Sequence, residues 1–229
     1  MPSVGATMSE SERLRRLLGV LLPDLSRAGR RLVDHPQVRD MYPEYLVHMH
    51  WIVRASVPLM EAARVRGEAI GADDPTAAAV AAYFEKHIEE ELRHDEWLLE
   101  DLEAIGWERE TVLERTPTPT VAGVVGAQYY WIFHYHPVAL LGYTTLLEGY
   151  PPGPEDVELL MEKTGYGADS FRTMRGHAEL DPGHAEELFE AIDGLALTPG
   201  QSAVLGLSAM STAHGLARVL DELVDGFGD

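Results

Sequence analysis

Cysteine is absent from all 229 residues. That excludes a disulfide framework, a thiolate metal site and a cysteine nucleophile. Bases are scarce as well: 18 Lys and Arg stand against 38 Asp and Glu, a net charge of -20. A surface that acidic repels nucleic acid and anionic membranes, so neither is expected as a partner. The surplus acids either keep the protein in solution or, where they face inward, hold a cation. Long apolar runs are also missing, since Gly, Pro, His or a charge interrupts each stretch before the ~20 residues of a membrane span. The start, "MPSVGATMSESERLRRLLGV", has only a short, Arg-studded apolar run and lacks a signal-peptide core. A cytoplasmic protein is expected. Finally, there is no alternating strand with hairpin signals, no βαβ pattern and no low-complexity tract.

What remains is helical. Apolar residues make up 45% of the chain, enough for a sizeable core in a single domain. Apolar positions recur at helical spacing over ~9–34, with a kink expected at Pro23. A second long helix is expected from Tyr42, bent by Pro58 and ending near Gly67, and a third over 74–106, with Asp74 as N-cap, Pro75 at the first position and Gly106 as the stop. "VAGVVGAQYYWIFHYHPVALLGYTTLLEGY" is the most apolar stretch and reads as a buried helix bent near Pro137, although its β-branched and aromatic content also suits a pair of strands. Helices over 154–164, ~168–194 and ~198–226 complete an all-α bundle of about seven helices.

Two octapeptides carry the chemistry. "HIEEELRH" (87–94) and "HAELDPGH" (177–184) each place an acid four residues after a histidine and a second histidine three residues later. On a helix these positions fall within about 60° of one another. His87, Glu91 and His94 thus form one stripe, and His177, Asp181 and His184 another. Tyr83, Phe84, Ile88, Trp97 and Leu98 share the sector of the first stripe, so it points inward. Buried imidazoles and carboxylates need partners, and iron, manganese or zinc supplies one. Glu148, the lone acid between Arg115 and Glu155, is a further candidate ligand; the alternative is a capping or exposed residue before the "GYPPGP" turn. Glu61 divides evenly between ligand and surface residue.

The other histidines tell less. His48 and His50 flank Met49, as His134 and His136 flank Tyr135, so neither pair shares a face; pocket-lining or hydrogen-bonded core positions are expected. His214 reads as a packed core residue and His35 as part of a loop. The aromatics of "QYYWIFHYH" wall a pocket or fill the core.

"EELRHDEWLLEDLEAIG", "LLEGY" and "HAELDPGH", in that order, resemble the haem-oxygenase-like diiron oxidases and oxygenases, the iron-containing redox enzymes. The likeness runs over about 42–226, with ~9–34 as an N-terminal helix. It implies a seven-helix haem-oxygenase-like bundle and two iron ions held by Glu91, His94, Glu148, His177, Asp181 and His184. Where some members carry a glutamate seven residues before the first His, this chain has His87, which leaves it as a ligand or as a residue behind the ligands. Glu61 would match an acid that other members draw from the preceding helix. Members use O2 to oxidise amines, amino acids or fatty acids, often in natural-product biosynthesis. A small-molecule substrate and an external reductant are the partners this implies, and a homodimer is the ordinary expectation.

Rival readings fail on particular residues. A haem oxygenase needs a proximal His in its first helix, and His35 precedes a proline; a thiaminase-type relative needs a cysteine. No glycine motif for a nucleotide cofactor is present. A non-catalytic iron-binding bundle remains the alternative.

Overall fold

The structure, a computed structural model, describes residues 8–150 and 153–228, with the side chains of 179–182 outside the described set. It is all-α: no strand occurs among the described residues. Twelve α-helices follow one another among the described residues: α1 (Glu10–Leu18), α2 (Leu22–Val33), α3 (Val38–Val53), α4 (Ser56–Ile70), α5 (Pro75–Glu91), α6 (His94–Ala104), α7 (Arg109–Leu113), α8 (Pro119–His134), α9 (Ala139–Leu147), α10 (Pro154–Thr164), α11 (Arg172–Gly194) and α12 (Pro199–Phe227). The strand alternative for the apolar stretch is thereby settled in favour of helix.

The count exceeds seven because four of the expected helices each divide in two. Three divisions have a proline cause. Pro23 and Pro58 lie in the first turns of α2 and α4, where a missing N–H costs nothing, and the preceding helix stops upstream of each. Pro137 lies in the joint between α8 and α9. The fourth division, between α5 and α6, has no proline or glycine. The short α7 was not foreseen, and α3 begins at Val38 rather than Tyr42.

The caps follow the local rules. Asp74 accepts from the Ala77 N–H to open α5, and Thr198 accepts from the Gln201 N–H to open α12. Ser9 and Glu12 form a capping box on α1.

Helix α12 organises the core, packing against α1, α2, α3, α8 and α9 through residues such as Leu205, Ala209, Ala213 and Val219. By length and composition it is long and apolar enough to cross a membrane, but its packing makes it the core helix of the bundle. It approaches α9 closely at Gly142, where a Cβ would lie 2.3 Å from the Leu205 carbonyl oxygen. Only glycine fits that crossing. Helix α9 is buried along nearly all of its length, and its position sets the height of Glu148.

Candidate metal centre

The last turn of α5 supplies His87 and Glu91, both buried. The backbone then leaves the helix: Leu92 is extended (ψ 125°) and Arg93 is left-handed (φ 75°), and His94 opens α6. The expectation of one continuous stripe is corrected here, since the helix breaks between Glu91 and His94. Arg93 is the one non-glycine residue at positive φ among the described residues, a conformation that costs about 1–2 kcal/mol. Across the break, His94 Nδ1 lies 3.1 Å from Glu91 Oε2.

Glu148 caps the C-terminus of α9 and is also buried, at 5% exposure, so it is both cap and interior carboxylate. His87 Nε2 lies 2.9 Å from Glu148 Oε2, and His87 Nδ1 lies 3.0 Å from Glu90 Oε2. One ligand atom each from His87, Glu91 and Glu148 falls within 4.8 Å of the others.

Helix α11 brings the second motif against the first. The His177 ring meets His94 edge-on, with centroids 5.0 Å apart, and the His184 ring meets His87 likewise at 5.5 Å. Two histidine pairs result, each joining α11 to the α5–α6 segment. Asp181 lies on α11 between His177 and His184, but its side chain is outside the described residues.

The start of α11 is fixed by Asp101 of α6, which is fully buried and accepts from the backbone N–H groups of Arg172 (2.9 Å) and Thr173 (3.0 Å). Desolvation raises the Asp101 pKa, with those N–H groups opposing. Because one carboxylate of α6 caps α11, His94 and His177 are held in register. Trp97 adds to this contact: its ring lies 4.2 Å from that of His94, and Gly176 of α11 leaves room for it.

Charge is unevenly distributed. Burial disfavours a charge on His87, but the hydrogen bond and charge of Glu148 outweigh it, raising its pKa to about 9. The geometry agrees, because both ring nitrogens lie within hydrogen-bond distance of carboxylate oxygens, an arrangement that suits the doubly protonated ring. Desolvation pushes the Glu148 pKa up, opposed by His87. Desolvation acts the same way on Glu91, but His94 and the neighbouring histidines overcome it and lower its pKa. Glu91 Oε1 is buried and has no hydrogen-bond partner among the described residues. A buried carboxylate oxygen left unmatched, within reach of His87 and Glu148, fits a cation. Mixed His and carboxylate donors suit iron, manganese or zinc.

Beside this cluster is a cavity of about 150 Å3, floored by Glu91, Glu148 and His177 and walled by apolar side chains such as Met49, Val53, Leu98 and Leu147. Sequence reasoning missed these walls, for nothing distinguishes a lining leucine from a core leucine in a helical pattern.

Several expectations are corrected. Glu61 does not join the cluster: its side chain is 47% exposed and pairs with Arg64 at 2.9 Å. The aromatics of 128–136 do not wall this cavity and divide otherwise: Tyr129 and Trp131 pack partly buried against the core, while Tyr130, Phe133 and Tyr135 are each at least half exposed. His214 is exposed rather than packed. His48, His50 and His136 are buried as expected, while His134 is exposed.

No curated protein matches the chain. Among solved structures, a domain of unknown function with a heme oxygenase-like fold from Shewanella denitrificans OS217 superposes with a TM-score of 0.78 at 19% identity, covering 93% of this chain and 90% of that one. A TenA homolog from Pseudomonas syringae pv. tomato str. DC3000 superposes with a TM-score of 0.66 at 16% identity, covering 91% and 93%. At these identities the likeness carries the fold, a heme oxygenase-like bundle. The sequence matches a known family over residues 43–214, a span that takes in both octapeptides and Glu148. The chain belongs to the iron-containing redox enzyme family.

Proposed function

We propose that this protein is an O2-dependent, non-haem diiron oxidase or oxygenase acting on a small organic substrate. The observation that carries the reading is the doubled arrangement: His94 with His177 on one side, His87 with His184 on the other, and the buried carboxylates Glu91 and Glu148 beside them. Two histidine pairs with carboxylates from separate helices suit two metal ions better than one. Glu91, His94, Glu148, His177 and His184 would hold the irons, with Asp181 of the second octapeptide, and His87 completes the set. Bound iron supplies oxidising power from O2 that no side chain of this chain possesses.

The protein's own part is positioning and exclusion. Glu90 fixes the His87 ring through Nδ1, as a carboxylate does behind a ligating imidazole. Met49, Val53, Leu98 and Leu147 keep bulk water from the cluster and leave space for a substrate group next to Glu91 and Glu148. Electrons come from an external reductant, as no nucleotide-binding glycine motif is present in the sequence.

The test is anaerobic reconstitution with ferrous iron, followed by exposure to O2. About two irons per chain and O2 consumption, both lost in His94→Ala and His177→Ala, are expected. Iron bound without O2 consumption would reduce the role to metal binding, and negligible iron would overturn the reading altogether.

A further inference from the structure

The cavity at the cluster has a neighbour. A second space of about 490 Å3, roughly three times as large, runs between α2, α10 and α12 to the surface. Tyr45 of α3 and Met174 of α11 line both. These two side chains stand between the spaces, with the metal-site carboxylates on one side and an apolar groove on the other. Val33, Leu159, Leu160 and Leu220 make up much of the groove wall.

We infer that the two spaces are one binding site for an elongated, mainly apolar substrate. Its reacting end occupies the inner cavity, and its chain passes between Tyr45 and Met174 into the groove. Which end reacts rests on the diiron reading; that a chain binds here does not. Three observations support the path.

The inner cavity is too small for more than a short group: an engineered apolar cavity of about 150 Å3 holds one benzene, so about six carbons fill it. A substrate confined there would leave the groove without a role. The two residues suit passage, since Met174 is unbranched and reshapes easily around a chain. Tyr45 is held against Tyr42, with ring centroids 6.2 Å apart and planes 25° apart, and so forms the firm side. Last, the charged residues that line the groove are engaged elsewhere or face solvent: Asp34 is tied to Lys163, Asp156 accepts from the Gly153 N–H to cap α10, and Arg30 is exposed. Tyr45 and Met174 are therefore the residues that set chain length and shape.

The inference is tested by calorimetric titration of the purified full chain, without added metal, against straight-chain primary alcohols from butanol to decanol. Affinity should rise about fourfold per methylene and keep rising beyond hexanol. Met174→Trp should remove the gain beyond hexanol. Leu159→Asp serves as a second variant: the side chain is 41% exposed, so the fold tolerates the change. It should weaken decanol several-fold and leave butanol unchanged. A plateau at hexanol in the unmodified protein would overturn the inference. So would a continued rise that survives both substitutions, since the chain would then lie elsewhere. The titration needs neither iron nor turnover, so a failure of reconstitution overturns the diiron reading without touching this result, and the reverse also holds.

Discussion

At the scale of single residues, burial separates acids that can serve the site from acids that only look eligible. Glu91 and Glu148 are 7% and 5% exposed, and each meets a histidine. Glu61 resembles them in sequence, an acid on a helix beside apolar neighbours, yet points to solvent and pairs with Arg64. Glu90 is about one-third exposed, and its carboxylate nonetheless reaches back to His87 Nδ1. This contact separates two roles by experiment. Glu90→Gln should weaken iron binding by about 10–100-fold, the range for losing the carboxylate behind a ligating histidine. Glu61→Gln should leave iron binding unchanged. Competition with a calibrated ferrous chelator measures both, and equal effects would mean that surface charge, rather than the His87 contact, governs affinity.

At the scale of elements, the two octapeptides were legible because histidine and acid at fixed spacing have few other uses, whereas the joints were not. Prolines 23, 58 and 137 announced bends and produced breaks. The break at Leu92–Arg93 is different, for Glu89, Glu90, Glu91, Leu92 and Arg93 are all residues that favour continuing a helix. Only tertiary packing around His94 overrides that preference, and no local signal records it. The α8–α9 joint shows the converse: its histidine was expected to line a pocket or to be hydrogen-bonded in the core, and it ties three elements together. His136 Nδ1 accepts from the Val138 N–H, so Nε2 carries the proton and donates to Asp74 Oδ2 at 3.2 Å. Gln201 of α12 donates to the same oxygen at 3.0 Å. Burial lowers the His136 pKa, with Asp74 opposing. A histidine whose folded pKa lies below its unfolded value of about 6.5 contributes stability that is complete above that pH and is lost as pH falls through the window below it. His87 acts with the opposite sign, so the informative quantity is a difference. Between pH 7.5 and 5.5 the melting temperature of the metal-free protein should fall more steeply than that of His136→Gln. Parallel curves would show that His136 does not titrate with unfolding.

At the scale of the whole molecule, fold class followed from what the sequence lacked and from its helical period, while the cavity and its neighbouring groove depended on which leucines and methionines face one another, a matter of packing alone. Charge is the global property read directly from composition: 20 more acids than bases. Its effect on stability depends on range. The attractive pairs, such as Arg31 with Asp221 and Asp225 or Arg109 with Glu96 and Glu103, lie within about 3 Å, and exposed pairs of this kind contribute about 0–1 kcal/mol each. Repulsion among the surplus acids acts over longer distances. The screening length falls from about 30 Å at 10 mM salt to about 8 Å at 150 mM, which removes most long-range repulsion and leaves contact pairs largely in place. Repulsion is therefore the larger loss, and sodium chloride should stabilise the fold. An increase of about 1 kcal/mol, or about 2–4 °C in melting temperature, is expected over that range. Sodium chloride with a chelator present keeps metal binding out of the comparison. A fall in melting temperature would mean that the surface ion pairs outweigh the net charge, and that the acids are arranged for attraction after all.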